Sequence, residues 1–252
     1  MSLPFYFLLN LILISRLSFT FVDQPLDRRR IVVVTAIQVV GLLAFEIGFA
    51  WVLLAATLVL INVLFQRLES RSGKIYRSRF QSLLVQVIVA SVFTAPWTGL
   101  RFNAGASNLL APWQDYSLLL AGAGEIDWLK VNIITFGLLL VTNEANIIIR
   151  YLFQIWHLSP GRQGKRKVDA VDGIGIEEYN TGRIIGLLER ILIYYLVLNA
   201  QFAAIGLILA AKSFTRYKEL EKRVFAEYVL VGTLLSTLLA TVTAGLIQLL
   251  LG

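Results

Sequence analysis

The sequence lacks the residue types from which disulfides and many metal centres are built. It contains no Cys, one Met and one His. Disulfide bonds and thiolate metal ligands are therefore excluded, and so is a pair of His ligands within one chain. Charge is scarce as well, since only 15% of the 252 residues are Asp, Glu, Lys or Arg. A sizeable soluble domain does not fit this composition.

Long apolar runs take the place of charge. Hydrophobic residues make up 57% of the chain, and its mean hydropathy is +0.73. The run from Tyr228 to Leu251 contains no Asp, Glu, Lys, Arg or His. A helix of this length, at about 1.5 Å per residue, crosses a hydrocarbon core of about 30 Å. The composition predicts an all-α protein, a polytopic transmembrane helical bundle with about six or seven spans.

The predicted spans fall into two regions. Residues 1–130 form an N-terminal membrane region with about four spans and a long interfacial loop, and residues 131–252 form a C-terminal membrane region. Gly48 is predicted to be the turn of a hairpin, because the apolar run around it is too long for one span. Residues 109–120 are predicted to lie on the bilayer or to dip into it. The predicted spans are 1–21, 31–47, 49–65, 80–97, 132–156, 182–211 and 228–251.

Lys and Arg gather in the polar segments between the apolar runs. Residues 23–30 hold three of them, and residues 67–79, 158–183 and 212–223 hold five each. Because cytoplasmic loops are enriched in Lys and Arg, we predict a multi-pass protein of a prokaryotic inner membrane, with the 98–130 loop outside. Simple crossings then put 212–223 outside as well, against this bias. The span 182–211 therefore either crosses once or is re-entrant, with a break near Asn199–Gln201.

Polar and charged side chains interrupt two of the predicted spans. One set is Asn143, Glu144, Asn146 and Arg150, and the other is Glu189, Arg190, Asn199 and Gln201. Charged groups at this depth face protein or water and favour a counter-charge. We predict a buried Glu/Arg/Asn cluster in which Glu144 pairs with Arg190, and Glu189 with Arg150. The cluster is either a polar clamp between helices or a binding site for an ion, a proton or a lipid headgroup.

Small residues recur at helical spacing in the last two predicted spans. In lipid, small side chains let helices approach each other closely. We therefore predict that these two helices pack on each other, or across the axis of a homo-oligomer. The predicted packing residues are Gly182, Gly186, Ala203, Gly206, Ala210, Gly232, Ser236, Ala240 and Ala244.

The sequence contains none of the motifs that identify common enzyme classes. Residues 161–167 are rich in Gly, Lys and Arg but lack the spacing of a P-loop. His-Glu-x-x-His and Gly-x-Ser-x-Gly are both missing. No catalytic residue, metal ligand or cofactor is predicted. Enzyme chemistry would have to use carboxylate and Arg groups within the membrane.

A string of motifs in the second half carries a family resemblance. It comprises Asn143-Glu-Ala-Asn-Ile-Ile-Ile-Arg150, Thr181-Gly-Arg-Ile-Ile-Gly-Leu-Leu-Glu-Arg190, Gln201-Phe-Ala-Ala-Ile-Gly206, Ala210-Ala-Lys-Ser213, Arg216-Tyr-Lys-Glu-Leu220 and Phe225-Ala-Glu-Tyr-Val-Leu-Val-Gly-Thr-Leu-Leu-Ser236. Over about residues 140–240 the chain resembles an uncharacterised family of prokaryotic and prophage-associated integral membrane proteins, a domain of unknown function. The resemblance implies a membrane location and a shared polar core, and no reaction. It also marks Lys212 and Glu227 as residues of interest, without assigning them a role.

Three functions remain open from the sequence. A membrane-embedded scaffold or channel-like homo-oligomer fits the small-residue faces. A transporter or ion pathway would use Glu144 and Glu189. An intramembrane lipid-modifying enzyme would hold a phosphate with Arg150 and Arg190 and use a Glu as acid or base.

The expected partners follow from the charge distribution. The net charge of +7 is attributed to loops beside anionic lipid, so membrane lipids are expected as partners and nucleic acid is not. A second copy of the chain is expected at the small-residue faces. A cytoplasmic protein is expected at the basic loops.

Overall fold

The regular secondary structure of the chain is helical throughout the described residues. The computed structural model describes residues 2–106, 127–157, 174–215 and 223–252, where one isolated β-bridge joins Phe45 to Phe102. The α-helices are α1 (Leu3–Ser15), α2 (Arg28–Leu42), α3 (Phe49–Ser72), α4 (Ile75–Phe93), α5 (Trp128–Leu139), α6 (Ala145–Ile155), α7 (Ile174–Leu198), α8 (Phe202–Thr215) and α9 (Arg223–Leu251). The predicted all-α class is confirmed.

Three helical stretches within the described ranges are long and apolar enough to cross a membrane. They are α3, the continuous stretch Trp128–Ile155 and residues Val229–Leu251 of α9. Helix α1 and most of α8 are apolar but shorter. A perpendicular crossing needs about 20 residues, and helix length and hydropathy together support three of the six or seven predicted spans.

The chain forms two compact units, Met1–Leu139 and Leu140–Gly252, named unit 1 and unit 2. In unit 1, α2 packs on α1 and α3, and α4 packs on α1 and α3. Helix α2 begins where the Asp27 side chain accepts a hydrogen bond from the Arg28 N–H at 2.7 Å. The predicted turn at Gly48 is confirmed, because α2 ends at Leu42 and Gly48 is the N-cap of α3.

The polar segment 67–79 is mostly helical, although the sequence predicted a connection between spans. Helix α3 continues to Ser72, and α4 begins at Ile75 after a two-residue turn. Gly73 makes this turn with φ +63°, a left-handed conformation that glycine adopts readily. The helices extend into this segment because Glu69 and Arg79 point inward and pair with each other.

Helix α5 lies antiparallel to α1. The Asn10 Nδ2 donates to the Asn132 Oδ1 at 3.1 Å, and the rings of Tyr6 and Phe136 are 6.0 Å apart. Asp127, just before α5, therefore lies towards the last residues of α1. Phe102 lies towards its first residues, with its ring 5.4 Å from that of Phe7.

The ends of the predicted 98–130 loop thus lie at opposite ends of α1, whereas both ends were predicted to lie outside the membrane. The cause is pairing between residues 122 positions apart, which charge counting does not detect. The predicted interfacial segment 109–120 lies outside the described residues.

In unit 2, α9 packs mainly along α7 and also contacts α6. The predicted span 182–211 is two helices, with α7 beginning earlier, at Ile174. The break falls at Asn199–Gln201, where Ala200 has a φ of +57°. The broken-helix alternative therefore describes this segment correctly. Helix α8 turns back along α7, which brings residue 212 beside residue 189.

Candidate functional site

A π-helical turn, Leu140–Glu144, interrupts the stretch Trp128–Ile155 at two predicted site residues. Asn143 and Glu144 are fully buried there, and the Asn143 Nδ2 donates to the Glu144 Oε1 at 2.8 Å. A π-helical turn widens the helix and changes the α-helical hydrogen-bond pattern, and such turns are frequent at functional sites. Neither periodicity nor composition revealed this turn in the sequence.

Arg190 reaches the π-helical turn from α7. It is buried, and its Nε donates to the Val141 carbonyl oxygen at 2.9 Å. The charges of Glu189 and Arg150 lie close enough to act on it electrostatically. We predicted the Glu144 carboxylate as its partner. The structure shows instead a hydrogen bond to a backbone carbonyl of the same turn, so Arg190 fixes the backbone of the turn.

Glu189 pairs with Lys212 of α8, where the sequence predicted Arg150. Its Oε2 lies 2.5 Å from the Lys212 Nζ, and both side chains are partly buried. This pair depends on the break at Asn199–Gln201, because only a reversal of the chain brings α8 alongside α7. The π-turn cluster is therefore Asn143, Glu144 and Arg190 around Val141, and the Glu189–Lys212 pair ties α8 to α7.

The other predicted cluster residues lie around or away from this core. Asn146 and Arg150 are half-buried on α6. Asn199 and Gln201 are exposed at the helix break, where the Asn199 Nδ2 donates to the Tyr195 carbonyl at 2.8 Å. These two residues shape the break and do not join the π-turn cluster.

The predicted packing residues of α9 line its inner face. A Cβ added at Gly232 would lie 3.3 Å from the Phe153 Cζ on α6. Ser236 is half-buried, and Ala240 and Ala244 are fully buried. This stripe therefore lets α9 approach its neighbours within unit 2.

The predicted packing residues before α9 behave differently. Ala203, Gly206 and Ala210 are exposed on α8, and no described atom lies within 4 Å of a Cβ added at Gly206. Gly182 and Gly186 on α7 are half-buried. The α9 stripe thus lies against α7 and α6, and the α8 stripe faces outward.

Unit 1 contains a second buried polar cluster, which the sequence analysis missed. The Arg79 guanidinium is buried at its centre and makes five hydrogen bonds. Its Nε and Nη2 bond the Glu69 Oε1 at 3.2 and 2.8 Å. The remaining bonds go to the carbonyl oxygens of Phe19, Val22 and Gln24 at 3.3, 2.6 and 2.9 Å. Arg79 therefore neutralises a buried carboxylate and holds the α1–α2 connection in place.

Arg16 completes this Arg79 cluster. Its Nη2 donates to the Arg79 carbonyl oxygen at 2.9 Å, and its Nη1 lies 3.4 Å from the Ser82 Oγ. The Phe19 ring contacts both guanidinium groups, with centroid distances of 4.9 and 5.1 Å. The space beside these groups is about 20 Å³, room for about one water molecule. A larger ligand does not fit into it.

A polar ladder of four side chains lies beside the Arg79 cluster, one from each of α1 to α4. The Gln86 Nε2 donates to the Asn62 Oδ1, and the Asn62 Nδ2 donates to the Gln38 Oε1, both at 2.8 Å. The Gln38 Nε2 donates to the Ser15 Oγ at 2.9 Å, and this hydroxyl donates to the Ile12 carbonyl at 2.7 Å. All four side chains belong to residues that are 5% exposed or less. The ladder therefore fixes α1 to α4 in mutual register.

One sequence signal pointed to these clusters. Ser78, Ser82 and Gln86 recur every four residues on α4 and are all buried, and polar side chains on one face of an apolar helix commonly bond a neighbouring helix. Arg16 was visible as the single charge of its apolar run. Its partners lie 63 and 66 positions away, and no spacing in one sequence reveals such contacts.

Within the described ranges, no group of three His, Asp or Glu side chains is placed to hold a metal ion. Comparison of the chain with protein-family models, curated proteins and solved structures finds no match. The family resemblance of residues 140–240 therefore stays a prediction.

Proposed function

We propose that the chain is a polytopic integral membrane protein of a prokaryotic inner membrane, with about six or seven crossings, and that it serves as a membrane-embedded scaffold or channel-like oligomer. The Arg79 cluster is the observation that supports this function best. Arg79 pairs with Glu69 inside the helix bundle, and the remaining donors of Arg79 bond backbone carbonyls. A charge within a membrane protein needs such partners. The space beside these groups is too small for a substrate, which favours a structural role over catalysis.

The distribution of basic residues supports an orientation for unit 1. Its Arg-rich end carries Arg28–Arg30 at the start of α2 and the bases of segment 67–79 around the α3–α4 turn. Positive-inside bias favours this end in the cytoplasm. It is the surface that we propose for contact with a cytoplasmic protein.

The outward face of α8 supports self-association. Phe202, Leu207 and Phe214 are exposed there beside the small residues Gly206 and Ala210. Small residues allow close helix contact in lipid, where packing and interhelical hydrogen bonds drive association. We propose this face as the contact between copies, with membrane lipids around the remaining apolar surface.

Oxidative crosslinking in native membranes tests self-association. The natural chain has no Cys, so a single Leu207→Cys substitution reports only on α8. We expect a disulfide-linked dimer from Leu207→Cys and none from Val40→Cys, an equally apolar exposed position on α2. Introducing Gly206→Leu should abolish the dimer. Equal crosslinking at both cysteines would indicate random collision and contradict the proposed contact.

The π-turn cluster favours a second candidate, an ion or proton pathway. Glu144 is fully buried and is the last residue of a π-helical turn within a stretch long enough to span a membrane. Buried carboxylates in spans often mark such pathways. Proton flux into proteoliposomes should be lost in Glu144→Gln and kept in Glu227→Gln, an exposed control on α9. Absence of flux from the unsubstituted protein would leave the scaffold function.

A further inference from the structure

Unit 1 has an open crevice at the end away from the Arg79 cluster. Its volume is about 630 Å³, within the range of about 300–1,000 Å³ that small-ligand sites occupy. The first residues of α1, the last turn of α4 and the segment 95–101 form its walls. All three belong to the same unit, so the crevice is a feature of that unit alone.

The walls offer apolar surface and few donors. Pro4, Phe5 and Leu100 supply apolar atoms. The hydroxyls of Ser91 and Thr94 also line the crevice, but they donate to carbonyl oxygens of their own helix at 3.0 and 2.7 Å. A ligand that fits these walls therefore carries an apolar chain.

Arg101 supplies the positive charge of the crevice. It is exposed, and no described residue accepts a hydrogen bond from its guanidinium. No acidic residue lines the crevice. An anion therefore finds a cationic partner there, whereas the ammonium group of a zwitterionic lipid finds no carboxylate.

The segment that carries Arg101 is held in place. The Arg101 carbonyl accepts from the Glu46 N–H, and the Asn103 N–H donates to the Ala44 carbonyl, both at 2.9 Å. The ring of Phe102 stacks on that of Phe45 with centroids 4.8 Å apart. These contacts fix the segment through atoms of the chain itself, and a site that is already ordered loses little entropy on binding.

The residues around the crevice are of the kind found at the level of the lipid headgroups. Trp97 lies within the segment 95–101 and is 81% exposed, and Trp side chains concentrate at membrane–water interfaces. The Arg-rich end of unit 1 lies at the other ends of α1 and α4. With that end in the cytoplasm, the crevice faces the outer leaflet.

We propose that this crevice binds one anionic phospholipid of the outer leaflet. Its phosphodiester bonds Arg101, because a guanidinium can donate two parallel hydrogen bonds to phosphate. One acyl chain lies along Pro4, Phe5 and Leu100. This inference rests on the proposed insertion of the chain into a membrane, and it names a specific lipid contact of that protein.

Native mass spectrometry of the full chain tests the site. The probes are phosphatidylglycerol and phosphatidylcholine with identical acyl chains, added to delipidated protein in detergent. We expect one phosphatidylglycerol to bind about 10-fold more tightly than phosphatidylcholine. Both lipids carry the phosphodiester, but the choline ammonium brings a second positive charge close to Arg101 and finds no carboxylate in the crevice. Arg101→Gln should remove this preference. Ala95→Phe, which fills the crevice, should weaken binding of both lipids.

Arg77→Gln is the matched control, because Arg77 is an exposed base at the opposite end of unit 1. An unchanged preference in Arg101→Gln, or an equal loss in Arg77→Gln, would overturn the proposal. So would displacement of the lipid by millimolar glycerol 3-phosphate, which would indicate a site for free phosphate. Circular dichroism of each variant verifies that it is folded.

Failure of this site is distinguishable from failure of the proposed function. A chain that resists alkaline extraction from membranes but shows no lipid preference contradicts the lipid site alone. A chain that alkaline carbonate releases from membranes contradicts membrane insertion and, with it, the lipid site.

Discussion

Arg79 illustrates what a buried guanidinium requires inside an apolar bundle. In place of water, the Arg79 guanidinium bonds Glu69 and three carbonyl oxygens of the α1–α2 connection. Removal of one partner from a buried ion pair leaves the other charge uncompensated, which costs about 3–5 kcal/mol. Each residue of the Glu69–Arg79 pair is therefore required as long as the other is present, whatever the pair contributes to the free energy of folding.

Arg79→Gln should lower the free energy of unfolding by about 3–5 kcal/mol, because it leaves Glu69 buried and releases the α1–α2 connection. Thermal unfolding in detergent measures the loss. Arg77→Gln removes an exposed base two residues earlier and should leave the midpoint nearly unchanged. Equal stability of the two variants would show that the Glu69–Arg79 pair does not hold unit 1 together.

Gly41 marks a close approach of α2 to α1. A Cβ at this position would lie 2.2 Å from the Leu11 Cδ1 and 2.9 Å from its Cγ. Gly41→Ala should destabilise the protein by about 1–3 kcal/mol through overpacking. In the double variant with Leu11→Ala, the loss should be smaller than the sum of the single losses. Unfolding midpoints of all three variants test this, and strict additivity would contradict the contact.

At the scale of elements, α9 packs closely on α6 because Gly232 has no side chain where the two helices meet. Gly232→Leu should push Phe153 away and lower the stability of unit 2 by about 1–3 kcal/mol. Gly245→Leu on the same helix is the control, because no described atom lies within 4 Å of a Cβ added there. Protease resistance of the detergent-solubilised protein compares the two variants. Similar sensitivity would mean that Gly232 is not a packing contact.

The sequence was sufficient for the helical elements and insufficient for their partners. Hydropathy and the glycine at position 48 predicted the α-helical class and the hairpin. The inner stripe of α9 follows from four-residue spacing, which places Ala240 and Ala244 on one face. These features depend on residues close together in the chain, and local patterns reveal them.

The pairings of charged residues depend on features that have no local pattern. Glu189 meets Lys212 only because the chain reverses at Asn199–Gln201. Arg190 bonds Val141 because a π-helical turn presents that carbonyl. The prediction paired charges that lie at similar depths in their spans, and it therefore gave both residues other partners. The Arg79 cluster was missed because Arg79 was read as a base of the connection 67–79 and because the partners of Arg16 lie 63 and 66 positions away.

At the scale of the whole molecule, orientation can be measured directly because the chain has no Cys. Ser72→Cys lies at the Arg-rich end of unit 1, and Trp97→Cys lies beside the crevice at the other end; both positions are exposed. In intact cells, a membrane-impermeant maleimide should label Trp97→Cys and not Ser72→Cys. Inside-out vesicles should reverse the result. Labelling of both cysteines from one side would contradict the crossing of α4, the helix between them.

The polar ladder also bears on the order in which the protein is made. An amide group that lacks a hydrogen-bond partner is energetically costly in hydrocarbon. Ser15 bonds a carbonyl of its own helix, and each later side chain donates to one on the helix before it. During synthesis, each new donor of the ladder therefore meets an acceptor on a helix that has already been made. The ladder can therefore assemble one helix at a time, because none of its amides donates to a helix that is made later.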